Sequence, residues 1–228
     1  MTAGVCIGVE RGHVEVRFSN RAHGDLNADV VAPGVVGRRW LDLAERPVTW
    51  LDEVHGTDVV VVDAPGASTG RIGDGMVTTV AGAALGIWVG DCAPVALVAG
   101  EGVVGAAHAG WRGLEAGVLH EVVTAMRRLG ATEIAAVVGP CLHVECNEFG
   151  PADLERLVAR FGPVVAGATA WGTPAFDLPA AVRVALAVDG VEVAPARQPC
   201  TGCDRRYWSH RTRAERERHG MAVWLEAA

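Results

Sequence analysis

The 228-residue sequence contains no lysine, so all 20 of its basic residues are arginines. This absence excludes a Schiff-base lysine, a phosphate-loop lysine and a lysine general base. Acidic residues outnumber basic ones by 27 to 20, which gives a formal net charge of −7. Apart from the arginine-rich stretch 205–218, no block of like charge occurs, and we therefore expect no nucleic-acid partner.

Long apolar runs are also missing, although half of the residues are hydrophobic. No run reaches the length of a membrane span, and the first residues, MTAGVCIGVERGHVEVRF, lack the charged start and apolar core of a secretory signal. We expect a cytoplasmic protein without a membrane partner. In that compartment the six cysteines are expected to be reduced thiols, metal ligands or nucleophiles rather than disulfides.

The pattern of apolar residues predicts an α+β fold. Short β-branched runs predict strands, and helical spacing of apolar residues predicts helices, the last of them capped by Asp177 and ended by Gly190. Strands are expected at 13–18, 58–63, 84–90, 94–99, 102–108 and 133–139, and helices at 113–129, 151–161 and 178–189. Since strands and helices do not alternate regularly, we predict one domain, 1–228, with mixed or antiparallel sheets flanked by helices.

Three segments place a metal-capable side chain beside an apolar strand. They are WLDEVHGT at 50–57, VGDCAPVAL at 89–97 and GAAHAGWRG at 105–113, and they contain His55, Cys92 and His108. Two histidines and one cysteine suit zinc, and three protein ligands leave a fourth position for water or substrate. The spacing alone is a weak signal, since each histidine read by itself also fits an ordinary hydrogen-bonded residue.

The run DGMVTTVAGAALGIWVGDCAPVALVAGEGVVGAAHAGWRGLEAGV, 74–118, resembles the signature of the YfiH family. This family is also called laccase-domain or multicopper polyphenol oxidase-like, and its members are described as purine nucleoside phosphorylases. Further matches are VHG at 54–56, GPCL at 139–142 and SHR at 209–211. The resemblance implies a YfiH or toxin-deamidase-like fold, and it assigns zinc, with copper as the alternative metal, to His55, Cys92 and His108.

The sequence departs from the family pattern at several positions. Gly90 stands where the family usually has alanine before the Asp-Cys pair, and Asn147 stands where it tends to have tyrosine. The N-terminal motif is reduced to FSNRAHGDLN at 18–27. These departures affect the expected substrate contacts more than the metal ligands.

The resemblance and the local chemistry together suggest further site residues. As catalytic residues we expect Asp91, next to a metal ligand, and Arg38, which competes with Arg39 for the family's arginine in the helix before the first histidine. Arg112 begins a predicted helix and suits phosphate. The expected substrate-binding residues are Arg21, Asp74, Arg112 and Arg211.

The remaining cysteines allow a second, less specific interpretation. Cys200 and Cys203 form a C-x-x-C motif, and Cys141 and Cys146 offer a looser pair. A structural zinc site with four cysteine ligands is one alternative for them, and ordinary reduced thiols are the other.

The resemblance implies an enzyme of the purine nucleoside phosphorylase and adenosine deaminase type. It would be a zinc-dependent transferase and hydrolase that binds a purine nucleoside and phosphate. Adenosine, inosine and methylthioadenosine would be converted to free base and ribose 1-phosphate, with adenosine deamination as a second activity. We expect a monomer or weak homo-oligomer.

Three other functions compete with this one. A copper-dependent polyphenol oxidase follows from the family's laccase name, but such enzymes use about ten histidines, largely in His-x-His pairs. This chain has eight histidines and no such pair. A cysteine hydrolase would use Cys92 as nucleophile and His108 as base, with peptidoglycan precursors as suggested substrates. A non-enzymatic scaffold for a partner protein is the third.

Overall fold

The computed structural model describes residues 3–195 and 199–228. Its strands are β1 (Ala3–Val9), β2 (Gly12–Phe18), β3 (Val48–Trp50), β4 (Val59–Val61), β5 (Gly75–Thr78), β6 (Ala84–Val89), β7 (Ala93–Ala99), β8 (Val104–Ala109), β9 (Ile134–Val138), β10 (Ala166–Ala168), β11 (Pro174–Phe176), β12 (Glu192–Val193) and β13 (His219–Ala227). Its helices are α1 (Pro33–Ala44), α2 (Trp111–Ala116), α3 (Val118–Arg128), α4 (Pro151–Phe161), α5 (Leu178–Val188) and α6 (His210–Arg213).

Two mixed sheets contain most of the strands. One has five strands in the order β1-β2-β13-β6-β3, and the other has six in the order β12-β9-β7-β8-β5-β4. Each is antiparallel at its centre and gains parallel strands at its edges, β3 in the first sheet and β4 and β12 in the second. The α+β fold with mixed sheets is therefore confirmed.

Three clusters of buried apolar side chains hold the layers together. The first lies between the two sheets and includes Val16, Ile87 and Val98. The second packs α2 to α5 against the six-stranded sheet, and the third packs α1 against the outer face of the five-stranded sheet. Burial of this apolar area stabilises the fold by about 25 cal/mol per Å².

The six predicted strands all exist, and the helices 151–161 and 178–189 are confirmed to within a residue. The Asp177 side chain caps α5 by accepting the N–H of Ala180 at 2.8 Å. Within 3–195 and 199–228, no helix is long and apolar enough to cross a membrane.

The single helix predicted for 113–129 is wrong, because the chain forms α2 and α3 with a break at Gly117. Gly117 adopts φ +104°, a left-handed conformation that ends one helix and starts the next. The apolar spacing that predicted one helix is present in both, since Leu114 and Val118 face the same core.

The buried His219 at the start of β13 is held in its neutral form. It is 1% exposed, and its ring meets that of Tyr207 edge-on at 5.1 Å. Burial, together with the positive charges of Arg218 and Arg21, lowers the pKa of His219 to about 3. An unfolded chain would protonate it near its ordinary value of about 6.5.

We predict that His219→Phe makes the fold less sensitive to acid. Because the pKa of His219 is depressed in the folded protein, its contribution is favourable above pH 6.5 and is lost as the pH falls towards 3. Between pH 7 and 5 the wild type should lose about 2 kcal/mol more unfolding free energy than the variant. Urea titrations at both pH values measure this, with His120→Phe on the surface as control; equal losses in wild type and His219→Phe would contradict it.

Candidate active site and metal centre

The register of β7, β8 and β5 brings two of the predicted ligands, Cys92 and His108, together where β7 begins and β8 ends. β7 and β8 are antiparallel with Ala93 opposite Ala109, so Cys92 lies beside the end of β8 that carries His108. β5 pairs with the other side of β8, and the backbone N–H of His108 donates to the carbonyl of Asp74 at 2.8 Å.

The third ligand, His55, lies in the loop after β3 and is held by the Asp74 carboxylate. That carboxylate accepts the backbone N–H groups of Val54, His55 and Gly56 at 3.2, 2.9 and 2.7 Å. His55 itself has φ +59°, a left-handed conformation that is uncommon outside glycine. Three hydrogen bonds from one loop to a fully buried carboxylate stabilise this strained turn.

Asp74 also orients His108. Its Oδ1 atom is 2.8 Å from Nδ1 of His108, which leaves Nε2 as the atom that can bind a metal. A second buried carboxylate, Glu53, is 3.4 Å from the same nitrogen and accepts the N–H of Trp88 at 3.0 Å. Burial raises the pKa of Glu53 to about 8, although the charge of His108 opposes this.

The three predicted ligands form one cluster. Ligand atoms of His55, Cys92 and His108 all lie within 4.8 Å of one another, and Cys92 Sγ is 3.8 Å from Nε2 of His55. Gly110 lies against this cluster: a Cβ atom there would be 2.7 Å from Cδ2 of His55 and 3.0 Å from Sγ of Cys92. Any larger residue at position 110 would displace the ligands.

The electrostatics of the cluster favour a thiolate. Burial raises the pKa of Cys92, but the charges and hydrogen bonds of His108 and His55 outweigh this effect and lower it to about 6. Burial lowers the pKa of His108, whereas Glu53, Cys92 and Asp74 raise it well above its ordinary value. The acidic groups Asp74, Glu53 and Cys92 thus surround the histidine pair, and their ionised forms would favour a bound cation.

The cluster opens into a pocket of about 500 Å³. One wall is aromatic: Trp111 meets Phe149 edge-on at 5.6 Å, and Phe149 packs on Phe176 at 5.2 Å. Arginines are among the polar groups of the lining: Arg112 stacks on Trp111 at 4.2 Å, and Arg211 stacks on Phe149 at 5.4 Å. An apolar wall with a few converging polar groups is the usual form of a small-molecule site.

Asp91 also lines this pocket, but both of its carboxylate oxygens are occupied. Oδ1 accepts the hydroxyl of Thr201 and Oδ2 accepts the backbone N–H of Arg211, each at 2.7 Å. Burial raises the pKa of Asp91 in spite of these bonds. Asp91 thereby fixes the position of the helix that carries Arg211.

The structure does not bring all predicted residues together. His55, Cys92, His108, Asp91, Arg112 and Arg211 line the pocket, and Asp74 lies buried behind the ligands. Arg21 pairs with Glu215 and stacks on Trp208 at 5.4 Å, outside the pocket lining. Arg38 is an exposed residue of α1, also outside the lining.

Several pocket residues were not predicted from the sequence: Glu53, Trp88, Trp111, Phe149, Phe176, His210 and Arg218. Arg218 accounts for the glycine at position 90, because a Cβ atom there would lie 2.9 Å from Nη1 of Arg218. Two of them had local signals in the sequence: Glu53 lies two residues before His55, and Trp111 is next to Arg112.

Comparison with known proteins identifies the family of this chain. The model of the multi-copper polyphenol oxidoreductase laccase family matches residues 8–226. The chain belongs to this family.

Curated relatives and solved structures both match most of the length of this chain. The purine nucleoside phosphorylase ORF3 of Streptomyces griseus is 40% identical over 90% of this chain and 85% of that protein. A purine nucleoside phosphorylase of Streptomyces coelicolor is 37% identical over 90% and 86%. A Neisseria meningitidis protein of family DUF152 superposes with a TM-score of 0.81 over 98% and 99% of the chains at 23% identity. YlmD of Geobacillus stearothermophilus gives 0.76 over 93% and 91% at 26% identity. The YfiH resemblance is confirmed, and a nucleoside-processing or polyphenol oxidase-like enzyme is supported.

We predict that Asp74→Asn weakens metal binding by about 10- to 100-fold, the range typical of partners that orient a metal ligand. Asparagine offers one acceptor oxygen where the carboxylate serves three backbone donors and His108. Zinc titration against a competing chelator measures the change. Asp189→Asn is the matched control, because this carboxylate pairs with His120 and does not line the pocket. Equal affinities for wild type and Asp74→Asn would refute the assignment.

Proposed function

We propose that this chain is a zinc-dependent purine nucleoside phosphorylase that converts adenosine, inosine or methylthioadenosine to free base and ribose 1-phosphate. The observation that carries the proposal is the convergence of His55, Cys92 and His108 at the edge of a pocket that also has an aromatic wall and arginines. The curated relatives are named for this activity.

The three side chains fit zinc. Tetrahedral zinc places nitrogen and sulfur ligands about 3.3–3.6 Å apart, given bonds of about 2.0 and 2.3 Å. The 3.8 Å between Cys92 and His55 is close to this, and the upper limit of 4.8 Å for the other pairs requires only a small inward rotation. Bound zinc would supply a Lewis acid for polarising substrate oxygen or water.

Arg112 and Arg211 are proposed to bind phosphate. Both line the pocket, and each guanidinium is stacked on an aromatic ring, so each is held in place before the anion arrives. Phosphorolysis requires phosphate in line with the C1′ atom of the ribose, and the guanidinium fork suits a tetrahedral oxyanion. The rings of Trp111 and Phe149 offer the apolar surface on which a purine can pack.

Asp91 is proposed to hold neighbouring residues in place. With its oxygens bound to Thr201 and to the backbone of Arg211, it aligns the phosphate-binding arginine and the neighbouring ligand Cys92. The catalytic role expected for Asp91 remains a prediction, as does that of Arg38. The substrate contacts of Arg21 and Asp74 and a cytoplasmic, monomeric or weakly oligomeric state also remain predictions.

Adenosine deamination is a second proposed activity at the same centre. It would need a water on the open metal position and a nearby carboxylate to move protons. Glu53 lies in the pocket lining and could serve this role, as a buried carboxylate that is not itself in the ligand cluster.

The turnover prediction is that base release from inosine depends on added phosphate and yields ribose 1-phosphate. Arg112→Gln should raise the KM for phosphate at least tenfold, because it removes a charged donor. Arg128→Gln, at the exposed end of α3, should leave the KM unchanged. Chromatography of base and sugar phosphate measures both products.

Two other results would redirect the proposal. Base release that is indifferent to phosphate would indicate hydrolysis and would remove the phosphate role of Arg112. Conversion of adenosine to inosine without base release would leave the deaminase as the activity of this site.

The properties of Cys92 favour a cysteine hydrolase as the alternative function. Burial raises the pKa of Cys92, but the charges and hydrogen bonds of His108 and His55 lower it to about 6. The ligand atoms of Cys92 and of His108, the expected base, lie within 4.8 Å of each other, which suits an activated nucleophile. The same residues serve both functions, so metal content separates them. An oxidase is less favoured, because metal-capable groups in 3–195 and 199–228 contain at most two histidines each.

We predict that zinc-loaded protein resists iodoacetamide at Cys92 and becomes reactive there after chelation. A zinc-bound thiolate has its lone pair engaged, whereas a free thiolate of low pKa alkylates quickly. Peptide mapping of Cys92 alongside nucleoside turnover measures this, with the exposed Cys6 as internal control. Fast labelling of Cys92 in zinc-loaded protein, or full turnover without metal, would support the hydrolase instead.

A further inference from the structure

A second group of sulfur atoms lies outside the pocket. Cys146, Cys200 and Cys203 have their sulfur atoms within 4.8 Å of one another, and those of Cys146 and Cys203 are 3.3 Å apart. Cys146 and Cys200 are buried, and Cys203 is exposed. Cys141, the fourth cysteine of the region, belongs instead to the apolar core under the helices. The grouping is therefore of three cysteines and not the four that the sequence suggested.

The backbone around these cysteines is built for close approach. A Cβ atom on Gly202 would lie 2.8 Å from Cβ of Cys146, so only glycine lets the 200–203 turn approach the 144–146 segment this closely. Arg213 fixes the turn by donating to the carbonyls of Thr201 and Gly202 at 3.1 and 2.9 Å.

The Cys200 sulfur is arranged as a thiolate would be. It accepts the backbone N–H of His143 at 3.4 Å, and a backbone hydrogen bond from Cys203 also favours its charged form. Backbone donors of this kind stabilise charge on an acceptor atom. Burial and the neighbouring thiols raise the pKa of Cys146 and Cys200.

Two further ligands are within reach of the sulfur atoms. Oε1 of Glu145 lies 3.8 Å from Sγ of Cys203 and 3.8 Å from Nδ1 of His143. Ligand atoms of His143, Glu145 and Cys200 also lie within 4.8 Å of one another. Cys200 therefore belongs to both groups, and the two together supply more than the four ligands that a tetrahedral ion takes.

We propose that Cys146, Cys200 and Cys203 bind a structural zinc ion, with His143 or Glu145 as the fourth ligand. Soft thiolates with one nitrogen or oxygen ligand select zinc, and the C-x-x-C spacing is typical of closed structural sites. Binding replaces three thiol protons, which leave to solvent. The ion would join the segment before Asn147 to the turn whose Thr201 donates to Asp91, and so would brace one side of the pocket.

The test counts zinc in the reduced full-length protein after zinc loading and gel filtration. Wild type should contain two zinc ions per chain. His108→Ala and Cys203→Ser should each contain one, and the combined variant none. Cys6→Ser, which changes another exposed cysteine, should retain two. In His108→Ala loaded with cobalt, strong thiolate charge-transfer absorption should appear and should weaken in a second variant, Cys146→Ser.

The outcomes separate this site from the catalytic one. One zinc that is lost in Cys203→Ser but kept in His108→Ala would support the structural site and refute the metal centre of the pocket. Folded, reduced His108→Ala without zinc would overturn the proposal. Formation of a Cys146–Cys203 disulfide by that zinc-free variant in air would then identify a redox pair instead. Substituting His143 or Glu145 by alanine identifies the fourth ligand through the loss of zinc affinity.

Discussion

The hydrogen bonds of the Asp74 carboxylate connect two parts of the chain that supply proposed metal ligands, the 54–56 loop and the end of β8. One side receives three backbone N–H groups from the 54–56 loop, and the other meets the imidazole of His108. Because Asp74 is fully buried, no water competes for these bonds. Removing the charge would release both the left-handed turn at His55 and the ring orientation of His108.

Close packing under this site depends on small residues in β5 and β8. A Cβ atom on Gly75 would lie 2.5 Å from a methyl group of Val122, and one on Gly105 would lie 2.8 Å from the sulfur of Met126. α3 can therefore lie directly on the sheet, and the short helix α2 follows β8 at once. The glycine-rich sequence 105–113 thus serves both the packing of α3 and, through Gly110, the space between the ligands.

Sequence alone could predict the buried strands, because β-branched runs are local signals. It also marked His55, Cys92 and His108, which the structure brings into one cluster, but their choice as metal ligands depended on the family resemblance. It could not predict the break at Gly117, since the same apolar period continues through both helices and only the backbone conformation differs. β13 was missed although its positions 221–225 form a continuous apolar run, which is a local signal of a buried strand. Glu53 and Phe149 enter the pocket from loops whose positions depend on long-range contacts, and no local period encodes these.

Asp91 is the point where the pocket and the cysteine cluster meet. Its neighbour Cys92 is a ligand of the proposed catalytic zinc, while its carboxylate holds Thr201, which lies between Cys200 and Gly202, and the backbone of Arg211. A shift of the 200–203 turn would therefore be transmitted to the arginine through two hydrogen bonds of 2.7 Å. In a chain that has no lysine, anion binding depends on arginine geometry, and guanidinium groups lose most of their advantage when their orientation is lost. A zinc ion on the proposed cysteine site would hold the 200–203 turn, and through Asp91 it would hold the arginine orientation on which phosphate binding depends.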